Sequence, residues 1–387
     1  MVTDTSTQSP RLFLKVLDPH RFASMETFGD LPIFLAHGGR ARAFGKGLTK
    51  RQRKLSAIGE WLERQILYTA TPEKYAAEED LGGDCLSPPL FGIDLASEMP
   101  HLVMPYHPSR RVGWISVRSL EGEQRWLHQP GWEEVGFYRP TSNGAAVHRT
   151  RRAALQAAAA ELLERHAFVA WWYRLAPSRL MSPDSQDWRR LDGWFASRGW
   201  DLSAHLLGAS TSFPVVLAFA ARRTPAGSLQ AGMIGLGTAI DSVDIGCDAA
   251  VSAALEIVQA MEIFAIREAG GYAIGGDLAE FLTPAGATEI EDRLDLKGSA
   301  LSCEPQQYAG CPLTAAQISG IQLWIANRSS TLIGVPGFHC LQVFSPDTLP
   351  FPSTGRGRRI DHPVLHTWLA RQGRGVTSLP LLPHPLG

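Results

Sequence analysis

The sequence predicts a mixed α/β fold of the α+β kind, with β-sheets flanked by long helices. Three observations predict it. Long segments carry apolar residues at spacings of three and four, the signature of amphipathic helices. Short apolar or alternating runs separate them, as strands do. The two kinds interleave with no long Ser/Gly linker, which argues for one compact unit with insertions and against a bundle.

Composition agrees. The chain has 387 residues, 44% hydrophobic and 19% charged, with a mean hydropathy of -0.07. That suffices to bury a core and excludes a wholly disordered or fibrous chain. Lys+Arg number 37 and Asp+Glu 38, a net charge of -1. So neutral a chain has no global field for nucleic acid or an anionic membrane, and a bound phosphate needs a local site. No apolar run is long enough to span a bilayer. Met1–Gln8 is polar and lacks the apolar stretch of a secretory signal, so a cytoplasmic location is expected. Cys85, Cys247, Cys303, Cys311 and Cys340 are odd in number and form no CxxC pair. Buried or free thiols are expected, not disulfides or a zinc–thiolate site.

Residues 1–34 form a polar lead-in with an apolar patch at Leu12–Leu17, and the folded unit is expected over 35–387. A Gly-rich stretch, His37 to Gly47, leads to a helix from about Leu48 to Tyr68 with a stripe of Leu55, Ile58, Leu62 and Ile66. Thr71–Arg111, dense in proline, reads as loop with short pieces of structure. Gly113–Leu120 alternates like a strand. The turn Thr141-Ser142-Asn143-Gly144 opens a helix from about Thr150 to Tyr173. Residues 185–205, with Trp188, Trp194 and Trp200, read as a helix and turn; Phe213–Ala220 reads as a buried strand and Ala231–Gly237 as strand or turn. Asp248 is the expected N-cap of a helix ending at Ala269 before Gly270-Gly271. A strand pair is expected over Leu332–Phe344, and the tail, 379–387, is extended because its prolines forbid helix.

Three segments echo one another. Gly45-Lys46-Gly47 precedes a helix with Ser56, Glu60, Glu63 and Arg64; Asn143-Gly144 precedes one with Glu161, Glu164 and Arg165; Gly235-Leu236-Gly237 precedes one with Glu256 and Gln259. Residues three apart share a helix face. A solvated face is the ordinary reading of any one such helix. Three in series suggest glutamates converging on Mg²⁺, since neighbouring carboxylates repel unless a cation lies between them. The glycine turns would let backbone N–H groups approach phosphates at helix N-termini. Common nucleotide and hydrolase motifs are missing: Gly39–Gly47 has the wrong spacing for a P-loop, and no GxGxxG after a strand, HExxH or GxSxG occurs.

The motifs resemble, in order and spacing, those of the YcaO family: GKG with SxxxExxER at Gly45–Gly47 and Ser56–Arg64, SNG with ExxER at Ser142–Gly144 and Glu161–Arg165, ExxQ at Glu256–Gln259, and a Pro-rich C-terminus. The resemblance implies a YcaO-type fold with an ATP site between its sheets and helices. It implies an enzyme that uses ATP and Mg²⁺ to phosphorylate a backbone amide oxygen of a precursor peptide, turning Cys, Ser or Thr into thiazolines or oxazolines. By the same resemblance Glu60, Glu63, Glu161, Glu164, Glu256 and Gln259 would hold Mg²⁺. Lys46, Ser56, Arg64, Asn143 and Arg165 would serve the nucleotide. The tail, through Pro383, Pro385 and Gly387, would reach the reaction centre. The chain departs from the pattern at His166, where many members have Asp, at Ala260-Met261, and in its Pro-His-Pro-Leu-Gly ending.

The length leaves no room for the leader-clamping domain of fused relatives, so the chain resembles the separate D-type cyclodehydratase subunit of microcin B-like azole synthetases. That resemblance implies a leader-binding E1-like partner and an FMN-dependent azoline dehydrogenase, and no nucleic acid or membrane partner. The eleven tryptophans, mostly core, and Arg356, Arg358 and Arg359 are candidate docking features. Thioamide or amidine formation at the same nucleotide site, and a non-catalytic peptide-binding scaffold, are the alternatives.

Overall fold

In the computed structural model of the chain, the second long helix lies between two sheets. The structure describes residues 34–38, 41–94, 103–132, 134–138, 140–208, 212–269, 281–294, 301–302, 309–329, 337–351 and 360–375. The tail residues Pro383, Pro385 and Gly387, the loop arginines Arg356, Arg358 and Arg359, Cys303, and the lead-in before Phe34 lie outside them.

The chain opens with a hairpin, β1 (Phe34–Gly38) and β2 (Ala41–Gly45), and helix α1 (Lys50–Thr69). The described residues of the proline-dense stretch form short pieces, as its composition predicts: β3 (Lys74–Ala76), the single turn α2 (Glu78–Leu81), β4 (Cys85–Leu86) and β5 (Ile93–Asp94). Next come β6 (Val112–Ser119), β7 (Gln124–His128), β8 (Ala145–His148) and α3 (Arg151–Trp172). They are followed by β9 (Ser178–Ser182), α4 (Gln186–Ala196), β10 (Asp201–Leu207), β11 (Val216–Arg223), β12 (Leu229–Gly237) and α5 (Ile245–Ala269). The last described elements are α6 (Pro284–Glu291), β13 (Leu301–Ser302), α7 (Pro312–Ile318), β14 (Trp324–Asn327), β15 (His339–Phe344), β16 (Ile360–Asp361) and α8 (Pro363–Arg371).

One sheet runs β12-β11-β10-β9-β13; the other runs β4-β7-β6-β14-β15-β8, with β3 also paired to β6. Both are antiparallel except at β13–β9 and β4–β7. Period-two alternation in β11 shows how the layers stack. Leu217, Phe219 and Ala221 face the cluster around α3, while Val216, Ala218 and Ala220 face the one built on α4 and α5. The other sheet sends Ile325, Leu341 and Val343 to α3 and Trp324 and Ala326 to its far side. A helix covered by two sheets must be apolar nearly all round. This explains the alanine run Ala157–Ala160 and the buried Phe168, Trp171 and Trp172.

Several details differ from the expected elements. Leu55 is 40% exposed and outside the core. The buried face of α1 is Ala57, Ile58, Trp61, Leu62, Ile66 and Leu67 with Arg53. Helix α5 begins at Ile245, so Asp248 lies within its first turn; the cap is Asp244, whose Oδ1 accepts the Cys247 N–H at 3.2 Å. Strand β8 stands between Asn143-Gly144 and α3, so that turn does not open the helix. Of the expected strand pair over 332–344, β15 is described and pairs with β14; residues 332–336 lie outside the described residues. Cys247 and Cys340 are buried, and Cys85 and Cys311 half-buried, all as free thiols. Trp61, Trp114, Trp171, Trp172, Trp188, Trp194, Trp200 and Trp324 are buried, so most of the eleven tryptophans make core.

Candidate functional site

The polar faces of α1, α3 and α5 open on one cleft of about 790 Å³. That is within the size range of cofactor sites. Ser56, Glu60, Glu63 and Arg64 come from α1, Glu161 and Arg165 from α3, and Glu256 and Gln259 from α5. Lys46 enters from beyond β2, and Asn143 from the turn before β8. Every described residue singled out in the sequence lines the cleft except Glu164. That residue stands behind Arg165, its Oε1 3.9 Å from Arg165 Nε.

Helix geometry and capping place these groups. Thr49 and Gln52 form a reciprocal capping box on α1: Thr49 Oγ1 accepts the Gln52 N–H at 3.2 Å, and Gln52 Oε1 accepts the Thr49 N–H at 2.9 Å. Thr150 caps α3 through the Ala153 N–H at 3.2 Å. On α1, residues 56, 60 and 63 stack on the face opposite Ala57, Ile58 and Leu62.

The motif glycines let strands lie against helix backbone. A Cβ on Gly45 would sit 1.7 Å from Arg53 O, one on Gly235 2.2 Å from Ala253 O, and one on Gly237 2.1 Å from Ala249 O. Only a hydrogen fits there. Gly45 thus clamps β2 to α1, and Gly235 and Gly237 clamp β12 to α5. Gly144 meets β15 instead, with φ +69 and Val343 O 2.4 Å from its would-be Cβ.

Polar contacts join α5 to β12 and, through Phe44 and Lys46, to the β2 end that precedes α1. Glu256 Oε2 accepts the Leu236 N–H at 2.8 Å, on the edge strand β12, and lies 3.9 Å from Lys46 Nζ. Gln259 donates to Phe44 O at 2.5 Å. Ser56 Oγ accepts the Lys46 N–H at 3.3 Å. Arg64 pairs with Glu60 at 2.5 Å. Arg165 Nε lies 3.9 Å from Glu161, and its guanidinium stands 5.0 Å from the centre of the Phe351 ring.

Burial raises the pKa of Glu60, against the pull of Arg64 and Lys46. Burial, then Glu161 and Glu60, push Glu63 well up. Burial lifts Glu161 to about 7; Arg165 opposes the rise, and Glu164 and Glu256 add to it. Glu164 is raised by burial as well. For Arg165, burial lowers the pKa, and the carboxylates of Glu164, Glu256 and Glu161 outweigh it, leaving the pKa raised. Facing carboxylates with elevated pKa values are what a divalent cation relieves. Oxygen donors on three rigid helices suit Mg²⁺. Asn143 Oδ1, buried without a hydrogen bond, adds an unmatched polar atom at the rim. The residues present therefore fit a magnesium–nucleotide group. Among the described residues no three acidic, His or Cys side chains already converge on a metal position. In this arrangement the carboxylates turn instead toward Lys46, Arg64 and Arg165.

The structure adds roles that the sequence reading did not assign. Arg53, buried on the apolar face of α1, donates to Gly47 O at 2.9 Å and Leu48 O at 3.2 Å, fixing the turn that presents Lys46. An arginine inside an apolar stripe was the available signal. His166 is buried, and its Nδ1 accepts the Leu349 N–H at 2.9 Å. It thereby docks the segment that carries Phe351 to Arg165. Trp132, tilted against Tyr68 with ring centroids 4.3 Å apart, forms part of the cleft wall. None of the described helices is long and apolar enough to cross a membrane.

The family model described as YcaO cyclodehydratase, ATP- and Mg²⁺-binding, matches residues 44–305, more than half of the chain. No curated protein sequence matches it. Among solved structures, a heterocyclase in complex with substrate and cofactor superposes with a TM-score of 0.75 at 19% identity, covering 98% of this chain and 57% of that one. YcaO from Methanopyrus kandleri bound with AMPPCP and Mg²⁺ gives 0.63 at 16%, covering 88% and 91%. The E. coli microcin synthetase McbBCD complex gives 0.61 at 14%, covering 84% and 90%. At these identities the structural likeness establishes the fold. The chain spans little more than half the length of the heterocyclase.

Proposed function

We propose, from the premise that the chain belongs to the YcaO family, that it is the cyclodehydratase subunit of a peptide-modifying assembly. Its cofactors are ATP and Mg²⁺. Its substrate is a ribosomal precursor peptide, and its products are thiazolines and oxazolines. The observation that carries this reading is the single cleft in which glutamates from three helices face one another beside Lys46, Arg64 and Arg165.

The bound nucleotide and metal supply a phosphoryl group and neutralise its charge. The chain supplies position. Glu60 and Glu63, Glu161 and Glu164, and Glu256 with Gln259 hold the metal from three sides. Lys46, Ser56, Arg64, Asn143 and Arg165 bind the nucleotide, Arg165 as a fork on phosphate oxygens. Covalently, a Cys, Ser or Thr side chain of the peptide adds to the preceding carbonyl carbon and gives up its proton. The resulting oxyanion takes the γ-phosphoryl group and leaves as phosphate while the amide N–H proton departs. The balance is one water lost from the peptide and one ATP converted to ADP and phosphate. The alignment and the dry, charged cleft are what the protein contributes.

The same reading assigns residues 35–387 to one catalytic unit behind the lead-in 1–34. It brings the tail, through Pro383, Pro385 and Gly387, to the reacting amide. A leader-binding E1-like protein and an FMN-dependent azoline dehydrogenase are the proposed partners. The microcin synthetase complex, solved also with pro-MccB17 bound, supports a subunit that works with other proteins on a peptide.

Mass spectrometry of a precursor peptide incubated with the chain, its partners, ATP and Mg²⁺ tests the proposal. A loss of about 18 Da per ring, the mass of water, is expected. A gain of about 16 Da with sulfide supplied would instead indicate thioamide formation. No mass change with no ATP consumed would leave a peptide-binding scaffold.

A further inference from the structure

The turn that carries Asn143 is held from behind by a buried polar relay. Gln342, on β15 and 1% exposed, donates its side-chain Nε2 to Thr141 O at 3.0 Å and to Asn143 O at 3.4 Å. Its Oε1 accepts from Arg328, at 3.4 Å from Nε and 3.2 Å from Nη2. A guanidinium has only donors. The amide of Gln342 therefore has one orientation: its oxygen faces Arg328 and its NH₂ faces the two carbonyls. The neighbouring backbone completes the clamp, for the Val343 N–H donates to Gly144 O at 2.7 Å. Gly144 closes the approach, because a Cβ there would strike Val343 O. Arg328 is itself buried, at 6% exposure. A buried Arg–Gln pair costs desolvation that an apolar pair would avoid. What the cost secures here is the path of residues 141–144.

We propose that Gln342 is a positioning residue for the cleft: through the Thr141–Gly144 turn it sets where Asn143 presents its amide to the nucleotide. This rests on the reading of Asn143 as a nucleotide contact. Gln342 touches neither the cleft nor the reacting atoms, and acts only through the turn.

The test is calorimetric titration of Mg²⁺ with AMPPCP into the full chain and four variants, with ATP turnover measured beside it. Gln342→Glu keeps the contact with Arg328 but sets a carboxylate against two carbonyl oxygens. It is expected to weaken analogue binding about 10- to 100-fold, the loss that goes with unpaired buried carbonyls. The rate at saturating ATP is expected to stay within about threefold, because the reacting groups are untouched. Gln342→Met preserves the packed volume, is expected to weaken binding in the same sense, and carries the test should the Glu variant fail to fold. Asn143→Ala is expected to weaken binding, and Asn143→Ala with Gln342→Met no further, since one acts through the other. Gln342 variants that bind as tightly as wild type, beside a weakened Asn143→Ala, overturn the positioning role alone. So do losses that multiply in the double variant. Wild-type binding by Asn143→Ala overturns the nucleotide reading and the proposal with it.

Discussion

Gly235→Ala tests the idea that strand–helix contact sets the geometry of the cleft. The added Cβ would lie 2.2 Å from Ala253 O and 3.0 Å from Glu256 Cβ. Relief to a normal contact requires α5 and β12 to separate by about 1 Å. Overpacking of this kind costs about 1–3 kcal/mol. At about 2–4 °C per kcal/mol for a large domain, melting should fall by about 2–12 °C. The larger effect is on function. Glu256 is anchored by the Leu236 N–H at 2.8 Å, and both partners lie at the wedge. A misplacement of about 1 Å costs about 100-fold in rate. The assay is a thermal melt paired with Mg²⁺-dependent ATP turnover. Gly193→Ala is the control: Gly193 is exposed on α4, and its Cβ would meet nothing within 4 Å. It should gain up to about 1 kcal/mol from helix propensity and leave turnover unchanged. Wild-type turnover and melting in Gly235→Ala would refute the reasoning.

Further outcomes follow from the charges and the tail. Glu63→Gln removes a carboxylate whose pKa burial, Glu161 and Glu60 push up. Without Mg²⁺ the variant should melt at or above the wild-type temperature, while ATP turnover falls at least about 100-fold; a variant that melts lower yet turns over normally would contradict this. His128 is held neutral, its Nδ1 bonded to Gly113 O at 2.9 Å and its Nε2 accepting the Phe137 N–H at 3.2 Å. Burial lowers its pKa to about 4. Between pH 6.5 and 4 the unfolded chain takes up a proton at this site that the native one refuses, so the His128 contribution to stability should fall by about 3 kcal/mol as the pH falls, and His128→Gln should remove that share of the slope in urea melts, leaving the share of the buried His166, whose pKa is also lowered to about 4. Deleting Pro383–Gly387 should leave nucleotide affinity intact and cut cyclisation, read by calorimetry and mass spectrometry; full cyclisation would remove the tail from the mechanism.

The sequence shows the three long helices because their signals are local. Thr49 and Thr150 cap two of them, α1 and α3, and the apolar periodicity survives the polar interruptions. The glutamates were legible for the same reason: i,i+3 spacing places side chains without knowledge of the rest of the fold. Strands were harder. Ala145–His148 and Ser178–Ser182 are short and carry no clean alternation, so only pairing reveals them. The packing role of Gly45, Gly235 and Gly237 was not legible because its constraint is distance to a partner helix, which no window of sequence contains. Leu55 continues the apolar spacing of α1 yet faces the cleft, where an apolar wall has its own use. Gln342 and Arg328 left no trace in the sequence reading: Gln342 lies 201 residues from Thr141, and only the order of strands in the sheet brings them together.

The central claim is that carboxylates from α1, α3 and α5 hold the metal that serves the nucleotide. A crystal structure of the chain with Mn²⁺ in place of Mg²⁺ and AMPPCP, with the anomalous signal of manganese mapped, tests it most directly. The account predicts anomalous peaks within the cleft, bounded by Glu60 and Glu63, Glu161 and Glu164, and Glu256, with the carboxylates turned from Arg64 and Arg165 toward the ion. Nucleotide bound on another surface, with Glu60 still paired to Arg64 and no manganese among the glutamates, would contradict it.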